Sequence, residues 1–164
     1  MWLSQFLRYP NKLTYFTEDN KPLAAIGKAT IGEFSHLKHF PYVSPLIEEV
    51  GLLSKFTVPG FTNLPDLWVF DLQTPLTRKD PGKHFNSSGI KLIKMIGEVY
   101  GNAGIESAPM ILYTGTEYEI VKQIAMQEGG CSLLNRFSYI SKGLDGGIGA
   151  LMDKVDEHLS NPAA

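Results

Sequence analysis

The chain has 164 residues, 43% apolar and 20% charged, which is typical of one globular domain that buries a core without a metal or disulfide. Its formal net charge of -2 gives no overall attraction to nucleic acid or anionic membranes, so we expect neither as a direct partner. The sequence carries no signal-peptide pattern and no apolar run near the roughly 20 residues of a membrane span. A single cysteine, Cys131, cannot form an intramolecular disulfide and is predicted to be a small packing residue. These features predict a cytoplasmic protein.

Strand and helix patterns alternate along the chain. Pro22 suits the first turn of a helix, Ser44 suits the N-cap of the next helix, and residues 67–70 form a continuous apolar run typical of a strand buried on both faces. Five strands are predicted at Leu13–Thr17, Leu37–Val43, Leu67–Phe70, Met110–Tyr113 and Phe137–Ile140, and helices at Leu23–Phe34, Pro45–Leu53, Ile90–Val99, Tyr118–Met126 and Leu144–Leu159. This alternation predicts an α/β fold with a parallel sheet, right-handed crossovers and helices on both faces.

Polar side chains follow four of the five predicted strands. Glu18 and Asp19 follow the first strand, Asp71 the third, Thr114 the fourth and Lys142 the fifth. In an open parallel sheet, ligands bind outside the carboxyl ends of the strands, so we expect these side chains to share one site. Three neighbouring carboxylates need a cation, and oxygen ligands suit Mg²⁺. A carboxylate can also accept a phosphoryl group, and a lysine beside it supplies positive charge to that group.

The order of these segments resembles the receiver domain of two-component response regulators. The resemblance covers about residues 12–159, and it implies a doubly wound, flavodoxin-like sheet of five strands in the order 2-1-3-4-5. We therefore expect one receiver domain over residues 12–160, an N-terminal extension over residues 1–11 and a tail over residues 161–164. The resemblance is carried by Phe16–Asn20, Val69–Pro75, Pro109–Gly115, Ser138–Lys142 and Gly89 at the start of the third helix.

The resemblance also implies a role for each residue at the strand ends. Asp71 would be the phosphoacceptor, and Lys142 would pair with the phosphoryl oxygens. Glu18, Asp19 and Asp71 would hold Mg²⁺, directly or through water, with the backbone carbonyl of Gln73 as a further ligand.

The same resemblance implies a switch and a set of partners. Thr114 would move toward the phosphoryl group, and Tyr139 would be the aromatic residue whose rotamer follows that movement. A histidine kinase or a phosphotransfer protein would donate the phosphoryl group, and a downstream effector would read the result. A homodimer would form through the face built by the last helix, strand and helix. The chain would then be a signalling phosphoacceptor and not an enzyme, beyond catalysing its own phosphorylation and dephosphorylation.

Three departures from the family pattern leave alternatives open. Gly143 follows Lys142 where the family usually has proline, commonly with a cis bond, and the segments Leu76–Ser88 and Gly129–Arg136 are longer than usual. A pseudo-receiver, which binds partners without phosphorylation, is therefore an alternative. A phosphatase of the haloacid-dehalogenase kind is a weaker one, because that class needs a second acid two residues after its nucleophile, where this chain has Gln73.

Overall fold

The computed structural model describes residues 7–55, 64–143 and 147–161. Its strands form a single five-stranded sheet in the order β2-β1-β3-β4-β5, and all four pairings are parallel. The predicted α/β fold and its strand order are thereby confirmed. The elements are β1 (Leu13–Thr17), α1 (Lys21–Ile31), β2 (His36–Phe40), α2 (Val43–Lys55), β3 (Leu67–Phe70), α3 (Ser88–Ala103), β4 (Met110–Thr114), α4 (Tyr118–Leu134), β5 (Phe137–Ser141) and α5 (Ile148–Ser160).

The core consists of two apolar layers, one on each face of the sheet. Successive residues of a strand point to opposite faces, so Trp68 and Phe70 pack in one layer while Leu67 and Val69 pack in the other. Helices α2, α3 and α4 cover the first layer, and α1 and α5 cover the second. All residues of β3 and β4 are buried, which explains why these central strands read as continuous apolar runs.

The boundaries of β1 and β3 match the prediction, whereas those of every other element differ, and in β2 and α4 the difference has a clear local cause. Strand β2 ends at Phe40, because Pro41 cannot donate to a ladder and lies in the turn that precedes α2. Helix α4 runs to Leu134 instead of ending at Met126, with a kink at Gly130, where φ is 71°. The segment predicted to be longer than usual, Gly129–Arg136, therefore contains the last turn of α4.

Two further predictions concern the start of α5 and the cysteine. Helix α5 begins at Ile148, not Leu144, and residues 144–146 lie outside the described part of the chain. Cys131 is exposed just after the α4 kink, so its prediction as a packing residue was wrong. Within the described residues, no helix combines the length and the apolar character needed to cross a membrane.

The described part of the N-terminal extension packs on the domain. The Tyr9 backbone N–H donates to the carbonyl of Phe34 over 2.7 Å, and its hydroxyl donates to Asp156 on α5 over 2.6 Å. Arg8 pairs with the same carboxylate at 3.1 Å. This segment therefore joins the end of α1 to α5, on the face opposite α3.

Candidate functional site

The polar residues predicted at the strand ends meet at one edge of the sheet. Glu18 and Asp19 follow β1, Asp71 follows β3, Thr114 ends β4 and Lys142 follows β5. Carboxylate oxygens of the three acids lie within 4.8 Å of one another. Four of the five residues are buried, with Glu18 1% exposed and Asp71 8% exposed, while Asp19 is open to solvent. A cluster of carboxylates with one exposed member is a donor set that fits a hard divalent cation with part of its water shell.

Lys142 joins two of the acids. Its ammonium lies 2.5 Å from a carboxylate oxygen of Glu18 and 3.5 Å from one of Asp71. The same ammonium lies 5.2 Å from the centre of the Tyr113 ring. Its backbone N–H donates to the Thr114 carbonyl over 2.9 Å, which extends the β4–β5 pairing by one residue. This hydrogen bond fixes the position of the Lys142 backbone. Lys142 therefore lies between the two acids, nearer to Glu18 than to Asp71.

Asp71 is held in an environment that opposes its charge. Burial raises the pKa of the Asp71 carboxyl from 3.8 to about 6, Lys142 acts in the opposite direction, and the Glu18 carboxylate adds to the rise. A cation bound between the acids would favour the ionised form, because it opposes both burial and the repulsion between carboxylates.

Two hydroxyls that sequence reasoning missed position the Asp71 backbone. The Asp71 N–H donates to Thr17 Oγ1 over 3.1 Å, and the Thr74 hydroxyl lies 3.3 Å from both Thr17 Oγ1 and the Asp71 carbonyl oxygen. Thr17 is 1% exposed and Thr74 is fully buried. The one available signal was that a threonine ends β1 where the rest of the strand is mostly apolar.

The start of α3 is packed directly against the segment that carries Asp71. The Gly89 N–H donates to the Leu72 carbonyl over 2.8 Å. A Cβ atom at Gly89 would collide with the Asp71 carbonyl oxygen and the Leu72 backbone, so only glycine permits this approach. Gly89 was singled out from the sequence, and its physical role is this close contact.

The acidic pair after β1 is fixed by its neighbours. Glu18 accepts a hydrogen bond from the Asn20 N–H over 3.1 Å, and Asn20 in turn caps α1 by accepting from Leu23 N–H over 3.1 Å. His39 on β2 donates from Nε2 to the Glu18 carbonyl over 2.7 Å. The cap and the histidine set the direction in which Glu18 enters the site.

The remaining predicted residues lie around this edge. Gln73 is exposed, and its side-chain amide donates to Asn86 over 3.2 Å; the role of its backbone carbonyl as a metal ligand stays a prediction. The Tyr139 hydroxyl donates to the Thr116 carbonyl over 2.7 Å, in the loop that follows Thr114. The structure thus places Tyr139 beside that loop, and its role as a switch stays a prediction.

The residue that follows Lys142 has a positive φ. Gly143 has φ 51°, in the left-handed region that favours glycine. Peptide bonds among the described residues are all trans.

Comparison of the sequence with known proteins finds no matching family model and no matching curated protein. Comparison of the structure does find matches. A Francisella response-regulator receiver domain matches with a TM-score of 0.57 at 19% identity, covering 91% of this chain and 97% of that one. The BeF3-activated receiver domain of Klebsiella pneumoniae RstA matches with a TM-score of 0.57 at 20% identity, and the match covers 92% of this chain and 100% of that one. The Mn²⁺-bound form of the response regulator Rcp1 matches with a TM-score of 0.57 at 15% identity, and the match covers 93% of this chain and 97% of that one.

The chain therefore has the fold of a response-regulator receiver domain. The matches cover nearly the full length of both chains, so the likeness extends beyond a shared βαβ unit. Their low sequence identity leaves the function to be argued from the side chains at the sheet edge.

Proposed function

We propose that the chain is a receiver module that accepts a phosphoryl group on Asp71 in a Mg²⁺-dependent reaction. The observation that carries the proposal is the grouping of Asp71 with Glu18, Asp19 and Lys142 at the carboxyl edge of a receiver fold. The donor would be a histidine kinase or a phosphotransfer protein, and the modified domain would change its affinity for an effector. The chain would transfer and release only its own phosphoryl group, and so it would not act as an enzyme on a separate substrate.

The proposed step is a displacement at phosphorus. An ionised Asp71 oxygen attacks the donor phosphorus, a P–O bond forms, and the P–N bond to the donor imidazole breaks with its electron pair leaving on the imidazole. Lys142 places its charge 3.5 Å from Asp71, where the phosphoryl oxygens would arrive. A Mg²⁺ ion held by Glu18, Asp19 and Asp71 would supply the positive charge that neutralises the transferred group.

Asp71 is suited to this step by its burial and by the positions of its neighbours. With a pKa of about 6, it is largely ionised at neutral pH even before a cation binds. The hydrogen bond from its N–H to Thr17 restrains its backbone, so the side chain extends from one defined backbone position.

The proposal is tested by phosphorylation with a small donor. The protein is incubated with phosphoramidate and Mg²⁺, and its intact mass is measured for the addition of one phosphoryl group. We expect one addition to the wild type and to Asp153→Asn, an exposed acid on α5, and none to Asp71→Asn or to wild type in a metal chelator. An unmodified wild type, or an Asp71→Asn variant that is still modified, contradicts the proposal.

A pseudo-receiver is the second candidate, and one distance favours it. Lys142 lies closer to Glu18, at 2.5 Å, than to Asp71, at 3.5 Å, so its ammonium is already paired within the site. A pure binding module would keep this pair when Mg²⁺ is added. Amide NMR spectra that do not change around Glu18 and Asp71 during a Mg²⁺ titration would support the pseudo-receiver.

A further inference from the structure

A cavity of about 250 Å³ lies between α2, α3 and the loop that joins β3 to α3. The loop closes one side because it hydrogen-bonds to the start of α2: Val43 N–H donates to Pro75 at 2.8 Å and Ser44 N–H to Leu76 at 2.9 Å. A further bond from Leu76 N–H to the Pro81 carbonyl, at 3.1 Å, folds the loop back on itself. The apolar wall consists of Val43, Ile47, Leu76, Pro81, Leu92 and Met95.

The polar groups at the floor of this cavity already have partners. Ser88 Oγ donates to the Leu72 carbonyl over 3.0 Å and accepts from the Thr74 N–H over 2.8 Å. The Thr74 hydroxyl lies within 3.3 Å of the Thr17 hydroxyl and of the Asp71 carbonyl oxygen. An apolar group can therefore enter this cavity without leaving a buried donor or acceptor unsatisfied.

The rim of the cavity carries basic side chains. Lys83, His84 and Lys91 line it, and Lys91 is already paired with Glu128 at 3.0 Å. Lys83 is exposed and has no ion-pair partner within the described ranges, and the same holds for Arg78 and Lys79 on this loop. A ligand whose apolar part fills the cavity would therefore place its other end beside an unpaired ammonium.

We propose that this cavity binds a small amphipathic carboxylate, a single ring or a short alkyl chain carrying one acid group. An apolar protein cavity of about 150 Å³ takes a benzene molecule, so this larger one fits a ring with a few further atoms. The apolar part would contact Ile47 and Leu92, and the carboxylate would lie beside Lys83. The site is separate from the carboxylates around Asp71, and its occupation requires no phosphorylation.

The first test compares a ligand with its neutral analogue. Phenylacetate and phenylacetamide are titrated into the full chain while the backbone amide NMR signals of Thr74, Ser88 and Leu92 are followed. We expect both to shift these signals, with phenylacetate binding at least about threefold more tightly, the size of effect that a partly exposed ion pair provides.

Two pairs of variants locate the site. Ile47 is 42% exposed and lines the cavity, whereas Ile26 on α1 is 46% exposed and does not. Ile47→Trp should fill the cavity and abolish binding of both probes, and Ile26→Trp should leave it unchanged. Lys83→Gln should remove the preference for the acid, whereas Lys79→Gln, on the same loop but not lining the cavity, should keep it.

Several outcomes overturn the inference. One is the absence of any shift at the three amides, and another is unchanged binding to Ile47→Trp with a spectrum that shows a folded protein. Equal affinity for the acid and the amide refutes the carboxylate assignment. Sedimentation of the wild type and of Ile47→Trp provides the last check: a dimer that dissociates in the variant would assign this surface to a second copy of the chain instead.

Discussion

Asp71 is buried and lies near both a positive group, Lys142, and a negative group, Glu18. Desolvation raises the pKa of its carboxyl to about 6, and Lys142 at 3.5 Å offsets part of that effect. An acid whose pKa is raised in the folded state contributes stability below its unfolded pKa and loses it as the pH rises through the folded value. Without a bound metal, the charged form of Asp71 therefore destabilises the fold at neutral pH.

This linkage predicts the behaviour of Asp71→Asn in a metal chelator. The substitution removes the ionisation and keeps the shape, so the variant should gain stability relative to wild type as the pH rises from about 4 to about 6. At pH 7 the gain in free energy of unfolding should reach about 3 kcal/mol. Urea unfolding of both proteins across this pH range measures it, and a constant difference between them would contradict the assignment.

The hydroxyl of Thr17 supports a second prediction at the scale of single residues. Thr17→Val keeps the shape of the side chain but leaves the Asp71 N–H without its acceptor, at a cost of about 1 to 3 kcal/mol. Thr17→Ser retains the oxygen and should restore most of that loss, apart from the missing methyl group. Chemical denaturation compares the variants, and a Thr17→Val protein as stable as wild type would show that this hydrogen bond does not hold the backbone.

Among the elements, the junction between β3 and α3 determines the geometry of the site. Asp71 follows the strand, Leu72 accepts a hydrogen bond from the Gly89 N–H, and Ser88 accepts one from the Thr74 N–H. The first turn of α3 is therefore bonded to both ends of the segment Leu72–Thr74. The rest of the longer loop before Ser88, residues 76–87, takes no part in these contacts. The loop can therefore enlarge the domain without moving Asp71.

Two glycines of α3 give a matched test of this junction. Gly89→Ala would drive a methyl group into the Asp71 carbonyl, and we expect a loss of about 2 kcal/mol in the free energy of unfolding. Gly101→Ala, in the same helix, meets nothing within 4 Å and should stabilise the protein by about 0.5 to 1 kcal/mol. Thermal and urea unfolding measure both, and equal effects of the two substitutions would contradict the close contact at Gly89.

At the scale of the whole molecule, the site lies where the two core layers end. The apolar layers on both faces of the sheet hold the five strands in place. The positions of the side chains at the strand ends therefore depend on the whole sheet. A cation that binds these side chains only in the folded chain must therefore stabilise the fold as a whole.

This coupling predicts that Mg²⁺ raises the melting temperature. At a concentration about a hundred times its Kd, a ligand specific for the folded state adds about 2.7 kcal/mol. Wild type and Asp153→Asn should respond alike, and Asp71→Asn should respond much less because a ligand is lost. Differential scanning calorimetry measures the shift, and a wild type indifferent to Mg²⁺ would remove the metal from the proposed function.

Much of the fold could be predicted from the sequence because its signals are local. The apolar run at residues 67–70 and the polar residues that follow Thr17 and Tyr113 mark strands and their ends without reference to the rest of the chain. The end of α4 could not be predicted, because Gly130 interrupts the helical dihedrals and the helix then resumes. Nor could the exposure of Cys131, which depends on which face of that kinked helix meets solvent.

The candidate site divides in the same way. The sequence by itself determined that Glu18, Asp19, Asp71, Thr114 and Lys142 lie at the ends of strands, and the strand order of the fold then brings them to one edge. Only the tertiary structure decided that Lys142 lies nearer Glu18 than Asp71, that Thr17 holds the Asp71 backbone, and that the loop of residues 76–88 lines one side of an apolar cavity. The physical reason is distance along the chain: strand ends follow from local patterns, whereas these contacts join residues that only the folded sheet brings together.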